Sequence, residues 1–192
     1  MHKIKGCLLL AAMLLCGCSA PYSDVSGTDA SVSAGKTAAL PAEAERRLRE
    51  YLKCESMEAL AEFVLPSSLA GEMKSGKLTQ GNYFFSGFPG RGCTDIVISE
   101  VEALPEDQAQ RMAAFLAASV SIQGVDADIA AKEGYYAVAA ATYAFSEDGG
   151  ADAARMRVTR KVLVLHTADD EWIMMPTAED DKNSMEILED AS

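Results

Sequence analysis

Residues 156–175 read MRVTRKVLVLHTADDEWIMM, and this stretch decides the fold. Along 156–167 apolar residues alternate with polar ones, a pattern that predicts a β-strand with one buried and one solvated face. The acidic pair 169–170 indicates a turn, after which 171–175 returns as an antiparallel strand. We expect Met156, Val158, Val162 and Val164 to share the buried face, and Arg155, Arg157, Thr159 and Lys161 the solvated one.

Helical patterns precede this hairpin. Pro41 stands at a suitable first-turn position for a helix that carries Leu48, Tyr51 and Leu52 on one stripe. Apolar spacing predicts a second helix over 57–64 that stops before Pro66, followed by a short helical turn over 69–73.

The remaining elements alternate between β-branched stretches and turn signals. We predict a strand over 93–102, a helix from Pro105 with Met112, Phe115, Leu116 and Ser119 on its apolar side, and strands over 120–130 and 135–146. Residues 75–92 contain five glycines and a proline and predict a long loop. The fold class is therefore α+β, with N-terminal helices packed on an antiparallel sheet of four or five strands.

This order of elements, with its final Glu171-Trp172-Ile173 strand, resembles the nuclear transport factor 2-like or cystatin-like architecture over residues 42–176. The resemblance implies a strongly curved, cone-like sheet whose mouth holds a small ligand, an active site or nothing. The alternative is another α+β sandwich, in which helices cover one face of the sheet.

The N-terminal segment has the layout of an export signal, with a basic start and an apolar stretch over 8–15. Its end, Leu15-Cys16-Gly17-Cys18, resembles the bacterial lipobox. That resemblance implies removal of residues 1–17, lipidation of Cys18, and a protein anchored by acyl chains to the extracytoplasmic face of a bacterial cell membrane, the outer membrane included if the host has two. The alternative is an ordinary cleaved signal with incidental cysteines.

The mature chain is strongly acidic. The formal net charge is -12, and loss of Lys3 and Lys5 with the leader takes it to -14, which opposes binding to nucleic acid and to anionic lipid surfaces. Residues 18–41 are rich in Ser, Ala, Thr and Gly and read as a flexible tether with a reach of about 25 Å. A single domain over 42–176 follows, and 177–192 forms an acidic, partly disordered tail.

Few residues offer catalytic chemistry. After loss of His2 the remaining histidine is His166, at the end of a predicted strand beside acidic residues. In a pocket it would do acid–base work with a carboxylate, and otherwise it is a structural residue at the rim of the sheet. The pair Asp126 and Asp128 lacks the third ligand and the glycine of a calcium loop, so we predict no metal site and no cofactor.

Two clusters are candidates for binding. The loop aromatics Tyr83, Phe84, Phe85 and Phe88 either anchor a partner or fold back on the core. The basic residues Arg155, Arg157, Arg160 and Lys161 either receive an anionic group or form the solvated side of the sheet.

Two cysteines remain in the mature domain. A disulfide between Cys54 and Cys93 would close a loop of about 40 residues and stabilise the chain by roughly 3–4 kcal/mol. The alternative is two buried free thiols.

Taken together, these features predict a non-catalytic, lipid-anchored protein that binds a small ligand or an envelope protein. The rival hypotheses are an enzyme that uses His166 and an acidic residue in a cone-shaped pocket, and a structural accessory subunit that has no pocket.

Overall fold

Four helices and five strands form the part of the chain that the computed structural model describes, residues 38–75, 91–145, 154–177 and 182–188. The elements are α1 (Ala42–Leu52), α2 (Met57–Val64), α3 (Ser67–Lys74), β1 (Arg91–Ala103), α4 (Glu106–Ser121), β2 (Ala131–Phe145), β3 (Ala154–Thr167), β4 (Trp172–Pro176) and β5 (Ser184–Leu188). The predicted α+β class is confirmed.

The strands make one antiparallel sheet in the order β1-β2-β3-β4, and β5 also pairs with β3. Strand β3 is central, because β2 pairs along its whole length on one side. On its other side β4 pairs with residues 162–166 and β5 with residues 155–159. The two short strands therefore follow one another along the same edge of β3.

Local sequence explains where the helices begin. Pro41 precedes α1, and the acidic residues Glu43 and Glu45 in the first turn interact favourably with the helix dipole. The side chain of Ser56 accepts a hydrogen bond from the Ala59 amide at 3.2 Å and caps α2. The helices then bury their apolar stripes, with Leu48 of α1 fully enclosed.

Helices cover both faces of the sheet. A Cβ added at Gly134 of β2 would lie 3.2 Å from Ala109 Cβ, so this side of the strand faces α4. Tyr143 lies nine residues further along the same regular strand and therefore points to the opposite face. Its hydroxyl donates to the carbonyl of Leu52 at 2.8 Å, which places α1 on that face.

The predicted strand over 120–130 is wrong. Helix α4 continues to Ser121, and Val120 is its last buried residue. Gly124 adopts a positive φ of 84°, and residues 125–130 have no regular structure. The β-branched residues of this stretch suggested a strand, whereas Val120 continues the buried α4 stripe of Ala109, Ala113 and Leu116.

The structure differs from the prediction in two further ways. Val158, Val162 and Val164 are buried as expected, but Leu163 and Leu165 on the opposite face are buried too, because that face is also covered at this end of β3.

The acidic tail also contributes β5, where Met185 and Ile187 alternate with Ser184 and Glu186. Strand β5 was not predicted because acidic residues dominate this tail and because the alternation of apolar and polar residues covers only five positions.

Candidate functional site

The histidine predicted as an acid–base candidate lies between two carboxylates. His166 Nδ1 is 3.2 Å from Glu133 Oε1, which β2 presents directly opposite in register. Its Nε2 is 3.4 Å from Oδ1 of Asp170, in the turn between β3 and β4. The ring stacks on the indole of Trp172, the facing residue of β4. The predicted combination of His166 with an acidic partner is therefore present.

Each carboxylate has a second partner. The Tyr135 hydroxyl donates to Glu133 Oε2 at 2.7 Å, and burial together with this carboxylate raises the pKa of Tyr135 to about 12. Lys132 forms an ion pair with Asp170, and the pKa of Asp170 is lowered chiefly by this ammonium group. The phenol thus stays protonated and the Asp170 carboxylate stays ionised at neutral pH.

The turn that carries Asp170 has an unusual backbone. Asp170 adopts φ 63°, in the left-handed region, which Asp tolerates better than most residues. The Asp170 amide donates to the Thr167 carbonyl at 3.2 Å and closes the turn. The Asp170 side chain also contacts Lys132 and His166, so the turn is held both by its backbone and by these side chains.

This arrangement gives the imidazole little freedom for catalysis. Both ring nitrogens of His166 face carboxylates, and the side chain is only 19% exposed. A general base needs a free lone pair within reach of a substrate proton. The cluster is instead suited to holding β2, β3, β4 and the β3–β4 turn together.

A cavity of about 300 Å³ lies next to this cluster. Thr167 and Asp169, the sequence neighbours of His166 and Asp170, form part of its wall, whereas His166 itself does not. The other lining residues come from the start of α3 and from the irregular segment after α4: Pro66, Ser68, Leu69, Glu72 and residues 125–130. Sequence reasoning missed this cavity because it assigned the segment after α4 to a strand.

The cavity combines an apolar floor with an acidic rim. Pro66, Leu69 and Ile129 are buried, whereas Asp126 and Asp128 are exposed. Glu72 and Asp169 add two more carboxylates, and none of the lining residues that the structure describes is Lys or Arg. The volume lies at the lower end of the range for small-molecule sites, and the carboxylates favour positive charge.

Within the described ranges, no three His, Cys, Asp or Glu residues are grouped so that they could hold a metal ion. The backbone around the cavity is fixed by the Ala168 amide, which donates to the Ala130 carbonyl at 2.8 Å.

The two cysteines are free thiols in the structure. Cys54 Sγ lies 3.6 Å from the carbonyl oxygen of Glu50, and burial raises the pKa of this thiol to about 11. Burial also raises the pKa of Cys93, which contacts Tyr143 of β2. Each thiol has its own partner, and the disulfide stays a prediction that chemical mapping can test.

Other candidates are separated or lie outside the described residues. Arg155 pairs with Asp95 at 3.1 Å, and the Lys161 ammonium lies 4.5 Å from the centroid of the Tyr136 ring. As expected, Arg155, Arg157 and Lys161 share one face of β3, whereas Arg160 stands opposite Ala139 on the other face. Cys18 and the aromatics Tyr83, Phe84, Phe85 and Phe88 fall outside the described residues.

Comparison with protein-family models, curated proteins and solved structures finds no match to this chain. Among the described helices, none combines the length and the apolar character needed to cross a membrane. The cavity and the neighbouring His166 cluster are the features of the described structure that bear on function.

Proposed function

We propose that this chain is a lipid-anchored extracytoplasmic protein that binds a small organic cation without catalysis. The cavity between α3, residues 125–130 and the β3–β4 turn carries the proposal. The lipobox-like Leu15-Cys16-Gly17-Cys18 supports the anchor, and the element order supports a cone-like variant of the α+β fold.

The chemistry of the lining indicates the class of ligand. A primary or quaternary amine with a short aliphatic stem would place its stem against Leu69 and Ile129 and its charge near Asp126 and Asp128. Contacts between unlike charges at a partly exposed rim are each worth about 0.2–1 kcal/mol, so we expect a modest affinity. Binding should weaken as salt screens the rim.

The rival hypothesis of an enzyme has less support. His166 does not line the cavity, and its two ring nitrogens face Glu133 and Asp170. A ligand seated in the cavity would meet Thr167 and Asp169 instead. The Thr167 hydroxyl already accepts from the Glu171 amide at 3.1 Å, and no adjacent base activates it in the described contacts.

Isothermal titration calorimetry of the full chain tests the proposal. Putrescine and choline serve as cationic probes, and acetate and glucose serve as the anionic and neutral controls. We expect saturable binding of at least one cation and none of the controls. The double variant Asp126→Asn/Asp128→Asn should bind about tenfold more weakly, as two rim contacts of about 0.7 kcal/mol each would give.

The matched control is Glu186→Gln. Glu186 is an exposed carboxylate on β5, which pairs with the end of β3 that is remote from Thr167. This variant removes a negative charge without touching the cavity and should retain wild-type affinity. Equal weakening in the control and the double variant would mean that net charge, and not the cavity, attracts the cation.

A further inference from the structure

The hydrogen-bonding capacity of His166 matches its surroundings in only one protonation state. An imidazolium has two N–H donors, and the two ring nitrogens face Glu133 and Asp170. A neutral imidazole has one N–H, so one carboxylate oxygen would then face a nitrogen lone pair. Histidine changes between these forms within the range from about pH 5 to 8.

We propose that His166 is a pH-sensitive clasp: its imidazolium ties Glu133 of β2 to Asp170 of the β3–β4 turn, and deprotonation loosens that turn beside the cavity. Every element packed against the ring contributes to this arrangement. Glu133, Lys132 and Tyr135 come from β2, Trp172 comes from β4, and Asp170 comes from the turn.

The turn links the clasp to the cavity. Asp170 has a left-handed backbone conformation and contacts His166 through its side chain, and Asp169 immediately before it lines the cavity. Lys132 still holds Asp170 when the imidazole is neutral, so loosening stops short of unfolding. The effect of the clasp on ligand affinity rests on the proposed function, whereas the clasp itself does not.

The direction of the pH dependence follows from the number of N–H donors that the imidazole carries in each protonation state. Both contacts are complete while His166 is protonated and the carboxylates are ionised. Deprotonation of the imidazole removes one N–H donor, so one contact is lost and the turn gains freedom. At strongly acidic pH the carboxylates become protonated and the clasp is lost again, although Lys132 lowers the pKa of Asp170 and keeps it ionised to lower pH.

Trp172 supplies a direct readout, because it is the one tryptophan in the chain and it stacks on His166. A protonated imidazole in contact with an indole quenches its fluorescence. Titration of the full chain from pH 5 to 8.5 should give a single rise in emission that is absent in His166→Gln. Asp126→Asn, which changes the cavity rim and none of the contacts of the ring, should leave the rise unchanged.

Amide hydrogen exchange tests the effect on the turn without any ligand. After correction for intrinsic rates, residues 168–170 should exchange faster at pH 8 than at pH 5.5 in the wild type, and equally in His166→Gln. A fluorescence transition that persists in His166→Gln, or protection that does not change with pH, would overturn the proposal. Failure of putrescine and choline to bind at either pH would overturn the proposed function, while the two ligand-free readouts would still support the clasp.

Discussion

The imidazole of His166 lies flat on the indole of Trp172, with ring centroids 4.3 Å apart and an interplanar angle of 6°. The two residues are direct partners across the β3–β4 ladder, where facing side chains are close enough to stack. Trp172 is buried and belongs to the main hydrophobic core, while His166 reaches toward the surface. The pair therefore joins the core to the charged cluster beside the cavity.

Removal of the Trp172 indole should lower the stability of the protein. Trp172→Ala removes a buried aromatic side chain and the surface on which His166 stacks, so we expect the free energy of unfolding to fall by about 3–5 kcal/mol. Urea denaturation followed by circular dichroism measures it. Phe115→Ala is the control, because Phe115 is 60% exposed on α4, and it should change stability by less than about 0.5 kcal/mol. A similar small change for both variants would contradict the assignment of Trp172 to the core.

Replacing Gly134 and Gly71 by alanine should change the stability of the protein in opposite directions. A Cβ at Gly134 would lie 2.8 Å from Leu165 Cδ2 and 3.0 Å from Leu104 Cδ1, so Gly134→Ala should destabilise the protein by about 1–3 kcal/mol. Gly71 lies within α3 with no neighbour within 4 Å of an added Cβ, so Gly71→Ala should stabilise it by about 0.5–1 kcal/mol. Thermal unfolding compares the two. Stabilisation by Gly134→Ala would contradict the close packing of α4 on β2.

The two partly buried thiols should be alkylated much faster after unfolding than in the native protein. Burial raises the pKa of Cys54 to about 11 and also raises that of Cys93, so little thiolate exists at pH 7.5. We expect iodoacetamide to label both residues under non-reducing denaturing conditions and to label them slowly in the native protein. Peptide mapping by mass spectrometry assigns the sites. A cross-linked peptide containing both residues would establish the alternative disulfide.

The anchor has a separate test. Cys18→Ala should abolish labelling by a palmitate analogue in a bacterial host and release the protein from the membrane fraction, because the thioether-linked lipid requires this thiol. Cys16→Ala is the matched control and should still be labelled, since the lipobox resemblance assigns the lipid to Cys18. Labelling that survives Cys18→Ala would reject the lipobox assignment.

Much of the fold follows from apolar periodicity. The strand pair around Asp169 and Asp170 was predicted correctly, because alternation and a polar turn identify a hairpin locally. The prediction of which α4 residues are buried was less accurate. Its buried stripe uses Ala109 and Ala113, and Phe115, which a search for large apolar residues selects, is mostly exposed. Small residues allow the helix to approach Gly134 closely, and no local pattern reveals that approach.

The candidate site was predictable only in part. Asp170 lies four residues after His166 and could be identified as its acidic neighbour from sequence. Glu133 could not, because its position opposite His166 depends on the register between β2 and β3 and on an irregularity after Ala131. The cavity joins α3, the segment after α4 and the β3–β4 turn, which are distant in sequence. Its acidic rim becomes visible only when tertiary structure brings these segments together.

Nuclear magnetic resonance mapping of putrescine on the isotope-labelled full chain tests the central claim most directly. If the cavity binds organic cations, amide and methyl shifts will change in a saturable way at Leu69, Ile129 and Thr167, and β5 residues such as Glu186 will not respond. The changes should be lost in Asp126→Asn/Asp128→Asn. Shifts that spread evenly over exposed carboxylates without saturation, or no shifts at all, would contradict a cation site in this cavity.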